Sequence, residues 1–169
     1  MMVSFRTLIL WLHLLAAMTW IGGLIFQLLV VVPTLRKPSL TVTGLRLQLR
    51  LETRFRSVIW PAIGLVLFTG LVNILNVWYA LTQSGVDAPP GFVWTLSLKL
   101  LLVLGMVVLQ AGQQFLTLPK RMALLGSVTS EMQELPPALY LWQRRAVMLY
   151  SATVILGLGV VLCALLLRG

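Results

Sequence analysis

Residues 5–32 read FRTLILWLHLLAAMTWIGGLIFQLLVVV, an apolar run long enough to cross a bilayer as a helix. Within it Arg6, His13, Trp20 and Gln27 recur every seventh position, which places them near one helical face, two turns apart each time. His13 is the only histidine of the chain. That face is either a site or a packing seam, and the rest of the chain has to be read with both in view.

The 169 residues are 59% hydrophobic and only 10% charged, with a mean hydropathy of +0.97. A water-soluble domain of this size carries far more charge. The apolar residues fall into four blocks, about 5–32, 58–80, 95–118 and 146–167. The fold class expected is therefore all-α: a polytopic membrane protein, one domain over residues 1–169, built as a bundle of four transmembrane helices. The first block outruns the roughly 7–15-residue core of a secretory signal and has no small-residue cleavage site before its basic loop, so it is expected to be a retained helix.

The net charge of +9 is unevenly placed. Residues 33–57 carry Arg36, Lys37, Arg46, Arg50, Arg54 and Arg56 against Glu52 alone. Residues 119–145 carry Lys120, Arg121, Arg144 and Arg145 against Glu131 and Glu134, whereas 81–94 holds Asp87 and no base. This is the positive-inside pattern. It sets both basic loops in the cytoplasm and the middle loop and both termini outside. The charge then needs no nucleic acid: Arg46, Arg50, Arg54 and Arg56 are expected to meet anionic lipid head groups. The bilayer is the expected partner, with other membrane subunits or a second copy of the chain left open. Cys163 is the only cysteine, so no intramolecular disulfide forms. Walker, dinucleotide, HExxH and serine-triad motifs are absent from the sequence, which excludes a soluble hydrolase or a nucleotide-driven pump for this chain alone.

Proline positions suggest where the helices stop. Pro33 and Lys37–Pro38 are expected to end the first, and Pro119 the third. Pro61 is expected in the first turns of the second, where a missing donor is cheap. A short helix is expected around 121–134, halted at Pro136–Pro137. Leu45, Leu47, Leu49 and Leu51 alternate with polar residues, which is a strand signal. The basic, leucine-rich composition favours instead a helix lying at the inner interface or extending the second span, since a lone strand has unpaired edges. No internal repeat is strong enough to propose inverted halves.

Polar residues inside the spans mark the candidate sites. At about 1.5 Å of rise per residue, His13 lies on the order of 12 Å below the outer end of its helix. Asn73 and Asn76, Lys99 and Cys163 fall in the outer parts of the other three helices. Ionisable groups at that depth are costly and point to function. The bland alternative is a histidine bonded to Asn73 or Asn76, a snorkelling Lys99 and a packed Cys163. Copper(I) favours soft ligands, here His13, Cys163, Met18 and Met106, although Met18 points to another side than His13 and Met106 is deeper. Haem b needs an axial ligand, and His13 can serve. The inner half holds Gln27, Gln110, Gln113, Gln114, Tyr150, Ser151 and Thr153, read either as interhelical hydrogen bonds or as a quinone-facing or proton-conducting seam.

The segments HLLAAMTWIGG (13–23), RFRSVIWPAIGLVLFTGLVN (54–73), Trp94 with LKLLLVLGMVV (98–108), and FLTLPKR (115–121) together resemble the bacterial copper-resistance D-type membrane domain. The wider set includes the HemJ-type protoporphyrinogen oxidases. Their basic-acidic-basic pattern before the second helix is similar to Leu51-Glu52-Thr53-Arg54-Phe55-Arg56, and their acid-Leu/Ile-Pro element to Glu134-Leu135-Pro136. The resemblance implies a bacterial inner-membrane protein. His13 would stand for the family's first-helix histidine and Lys99 for its third-helix lysine, with copper uptake or haem-linked oxidation of protoporphyrinogen as the activity. Gln110 stands where the enzymes have a later histidine, so the resemblance does not extend to a bis-histidine haem. Three functions follow as expectations: copper handling or support of a redox membrane system, a haem-b redox protein, or an accessory subunit packed on a larger complex.

Overall fold

The computed structural model describes residues 4–35, 42–127 and 137–167. All regular structure there is helical: α1 (Phe5–Phe26), a π-helical turn (Gln27–Val31), α2 (Val32–Leu35), α3 (Val42–Ser84), α4 (Pro90–Gly112), a second π-helical turn (Gln113–Thr117), α5 (Leu118–Gly126) and α6 (Pro137–Leu166). Four of the continuous helical stretches are long and apolar enough to cross a membrane. This is the four-helix membrane bundle expected from the hydropathy.

α1 packs along α3 and α4 along α6, and the two hairpins meet where α1 touches α6. Ala16, Trp20 and Leu24 repeat every fourth residue on α1 and meet Ile59, Ile63 and Val66 of α3, with Met106 and Tyr150 closing the core from the other hairpin. Phe26, Phe68, Leu101 and Ile155, by contrast, face outward. In lipid an outward leucine costs nothing, so helix contacts rest on close van der Waals packing rather than on apolar burial. Gly23 is such a contact: a Cβ there would stand 2.6 Å from the Phe55 ring, whereas one on Gly22 would meet nothing within 4 Å. Gly23→Ala is therefore expected to lower stability by on the order of 1 kcal/mol, and Gly22→Ala to leave it unchanged. Thermal unfolding of the two variants in one detergent checks the contrast.

The helix ends differ from the sequence expectation. α3 begins at Val42 and runs 43 residues, about 64 Å at 1.5 Å per residue, twice the roughly 30 Å hydrocarbon thickness. The alternating leucines are thus helical and extend the second span. Leu45 and Leu49 turn inward and build a second small core with Leu118, Leu125 and Leu139, while Leu47 and Leu51 stay exposed. Pro61 lies well inside α3 rather than in its first turns, with its ring exposed.

Neither Pro33 nor Pro119 stops its helix. Each follows a π-helical turn by two residues, and both turns open on a glutamine six positions before the proline, Gln27 and Gln113. A proline in an α-helix lacks the donor to residue i−4 and collides with that carbonyl. The extra residue of a π-turn shifts the hydrogen-bond register just ahead of it, and the chain continues. The expected helix over 121–134 is represented by α5, which ends at Gly126. Arg36, Lys37, Pro38, Glu131 and the Glu134-Leu135-Pro136 element lie outside the described residues. At the opposite end Gly85, at φ +63°, closes α3 in the left-handed conformation that glycine tolerates, and Pro90 opens α4 at its first position.

The shared Gln-to-Pro spacing makes α1 and α4 local counterparts. Gln27 follows His13 by 14 positions, and Gln113 follows Lys99 by 14. His13 and Lys99 therefore occupy matching levels on the two helices, counted from these shared turns.

Candidate functional site

At the level of His13, the ring Nδ1 lies 2.8 Å from Oγ1 of Thr69 on α3. The Thr69 hydroxyl has one proton, directed back along its own helix to the Leu65 carbonyl. It therefore accepts from His13, and the network assigns the Nδ1–H tautomer. In the neutral imidazole this leaves the lone pair on Nε2. Gly70 adjoins this edge: a Cβ there would stand 3.4 Å from His13 Cε1, so the small residue leaves the ring uncrowded. Lys99, half-buried on α4, lies within electrostatic reach of His13, and the buried Cys163 of α6 within reach of Lys99. Asn73 and Asn76 are half-buried, at four and seven residues beyond Thr69 along α3. The histidine's partner is thus Thr69, not either asparagine. Sequence reading passed over Thr69 because a neutral hydroxyl in an apolar span is unremarkable; the adjacent Gly70 was the available signal.

The proposed soft ligands are dispersed. Met18 is 69% exposed on the outer face of α1. Met106 is buried in the main core, with its methyl 3.3 Å from where a Cβ on Gly157 would sit. Among the described residues no three His, Cys, Asp or Glu side chains cluster as metal ligands. Trp20 continues the His13 face of α1 into the core and Gln27 continues it beyond, both buried, while Arg6 is exposed.

A second polar region fills the end that carries the basic residues. Arg121 on α5 donates from Nη1 to Glu52 Oε2 at 2.6 Å, with side chains 0% and 1% exposed. The other Glu52 oxygen accepts from Gln48 Nε2 at 2.9 Å, and Gln48 Oε1 accepts from Gln143 Nε2 of α6 at 2.9 Å. The chain Arg121–Glu52–Gln48–Gln143 ties α3, α5 and α6 together between the two apolar cores. Sequence reading assigned Arg121 to a cytoplasmic loop and missed this pair; its signal was an arginine three and four residues from Leu118 and Leu125 on an amphipathic turn.

Gln27, Gln110, Gln113 and Gln114 are all buried. Several of their polar atoms are unpartnered among the described residues. Gln27 Oε1, Gln110 Nε2, both ends of Gln113, and Gln114 Oε1 have no hydrogen-bond partner, and neither do Trp20 Nε1, the Tyr150 hydroxyl, or Nε and Nη2 of Arg121. Tyr150 faces Gln113 and lies within electrostatic range of Glu52 and Arg121. Thr153 and Thr117 return their hydroxyls to their own helices, at Leu149 O and Gly112 O; Ser151 is half-buried.

The other basic residues described at this end are exposed. Arg46, Arg50 and Arg54 line a cavity of about 610 Å³ whose walls include Leu49, Met122 and Leu125. Arg56 stacks over Phe115 at 5.1 Å, and Lys120 and Arg145 flank Trp142 at 4.5 and 4.8 Å. Such stacking keeps cations beside aromatic rings at the edge of the bundle.

The fold and these two polar regions define a multi-pass helical membrane protein. Compared with known proteins, the chain matches no family model, no curated relative and no solved structure.

Proposed function

We propose that this chain is a metal-handling protein of the copper-resistance D-like kind in a bacterial inner membrane, with His13 Nε2 as the ligand that meets the metal in the outer half. The observation that carries the reading is the His13–Thr69 hydrogen bond. A metal-binding histidine characteristically donates its other ring N–H to a fixed acceptor, which sets the tautomer and the ring orientation. Copper(I) takes imidazole and thiolate donors, and His13 and Cys163 each lie within electrostatic range of Lys99. The basic residues at the opposite end support an outward-facing His13 through the positive-inside rule.

A second reading, haem b, is favoured by Gly70 and Lys99. His13 Nε2 would be a single axial ligand, Gly70 would leave its edge free, and the Lys99 ammonium would pair with a propionate. Haem would supply one-electron redox chemistry; the protein's part is to hold the imidazole neutral and oriented and to place a cation beside a carboxylate. In a third reading the same face is a packing seam and the chain is an accessory subunit of a larger assembly.

Oxidised and reduced absorption spectra with metal analysis on gently purified protein distinguish the three. Copper without a Soret band, lost in His13→Ala, is the expected result. A stoichiometric Soret band lost in the same variant selects haem. Metal content unchanged by His13→Ala removes both metal readings, and metal-free protein co-purifying with large partners selects the accessory role.

A further inference from the structure

We propose that the half of the bundle carrying the basic residues encloses a hydrated chamber, in which waters held by Gln27, Gln113, Gln114, Tyr150 and Arg121 give protons from the cytoplasm access to Trp20 in the middle of the membrane. The proposal rests on buried donors and acceptors that have no hydrogen-bond partner among the described residues. None of these six side chains is more than 3% exposed, yet each has at least one polar atom without a partner. Arg121 is the sharpest case, since one guanidinium nitrogen holds Glu52 and the other two have no partner.

Lipid tails cannot hydrogen-bond, so an unpaired amide or guanidinium nitrogen is more costly inside a bilayer than in most protein interiors. Water is the ligand that fits this set. The unmet groups include both donors and acceptors, and a buried water satisfies several such groups at once. The two π-helical turns open at Gln27 and Gln113, and a π-turn leaves backbone groups out of the α-helical ladder, which adds acceptors at the same level. A lipid-borne quinone would have to enter from the side, where the burial of all six side chains closes the wall. The route from the cytoplasm instead runs past Gln143, half-buried and with its own Oε1 unpartnered, beside the Gln48–Glu52–Arg121 chain. Glu52 compensates the Arg121 charge at the inner side of this route. The inner end is the Trp20 indole, seven residues along α1 from His13.

Hydrogen–deuterium exchange of the Trp20 indole N–H, followed by NMR on the full chain in lipid nanodiscs and assigned with Trp20→Phe, reads proton access directly. Exchange within minutes is expected, while backbone amides of the dry core around Leu24 and Ile63 stay protected for hours. Replacing Gln113 and Gln114 by leucine is expected to slow the indole exchange about 10-fold or more, since fewer groups then hold water. An indole as protected as those core amides overturns the proposal, and the wild-type measurement alone decides this if the double variant does not fold. Exchange that starts only after lipid and quinone are stripped also overturns it, by showing an organic occupant.

Discussion

Arg121→Leu is expected to destabilise the bundle by about 3–5 kcal/mol, the effect of stripping one partner from a buried ion pair. The reason is what remains. Glu52, 1% exposed, would keep a buried carboxylate with Gln48 as its one remaining side-chain partner. Glu52→Leu should cost a similar amount, because the buried Arg121 would then lose its one carboxylate partner. The double variant Glu52→Leu/Arg121→Leu is expected to recover most of the loss, since the attraction within a buried pair is largely cancelled by desolvation of its members. Arg46→Leu is the control: its exposed side chain makes no ion pair, and its effect should stay within about 0.5 kcal/mol. Chemical unfolding of the four variants in one detergent gives the comparison. An Arg121→Leu protein within about 1 kcal/mol of the parent would show that water replaces the guanidinium at Glu52 at little cost.

The reach of the sequence is clearest at the spans. Their number and type follow from uninterrupted apolar runs, because only helices and closed barrels satisfy the backbone in lipid. Their ends were less legible. Pro33 and Pro119 were read as stops from the rule for regular α-helices, and the π-turns that carry the chain past them depend on the register of backbone hydrogen bonds, which has little local signature. The six-residue spacing from Gln27 to Pro33, repeated from Gln113 to Pro119, was in plain view and is the pattern to look for. The alternating leucines of 45–51 show the converse. Period two is real there, but only Leu45 and Leu49 are buried, which is the spacing of a helix.

Candidate ligands were legible one at a time, since an ionisable group in an apolar span stands out. Which of them meet is a tertiary property. Glu52 and Arg121 are 69 positions apart and His13 and Thr69 are 56 apart, and no local pattern pairs them. Asparagine is the partner that the bland alternative gives His13, because amides bond across membrane helices. Thr69 takes that place because the back-bond to Leu65 fixes its lone pairs toward the ring.

That fixed lone pair gives the second large effect. Thr69→Val is expected to weaken metal binding about 10–100-fold, the usual consequence of removing the group that orients a metal-binding histidine, while His13→Ala abolishes it. Valine preserves the shape and β-branching of threonine, so the main core around Ile63 and Val66 should be undisturbed and unfolding nearly unchanged. What changes is the imidazole. Without an acceptor at Oγ1, the ring proton is no longer held on Nδ1, and the tautomer with the proton on Nε2 has no lone pair to offer at that nitrogen. Thr69→Ser keeps the acceptor and should keep most of the affinity. Copper titration against a competing chelator, or haem retained through purification, measures the loss, and the imidazole ¹⁵N shifts of the metal-free protein report the tautomer independently. If Thr69→Val binds as tightly as the parent while His13→Ala does not, the histidine acts without orientation by Thr69. If the ¹⁵N shifts put the proton on Nε2 in the parent itself, the metal readings lose their ligand and the His13 face is a seam between α1 and α3.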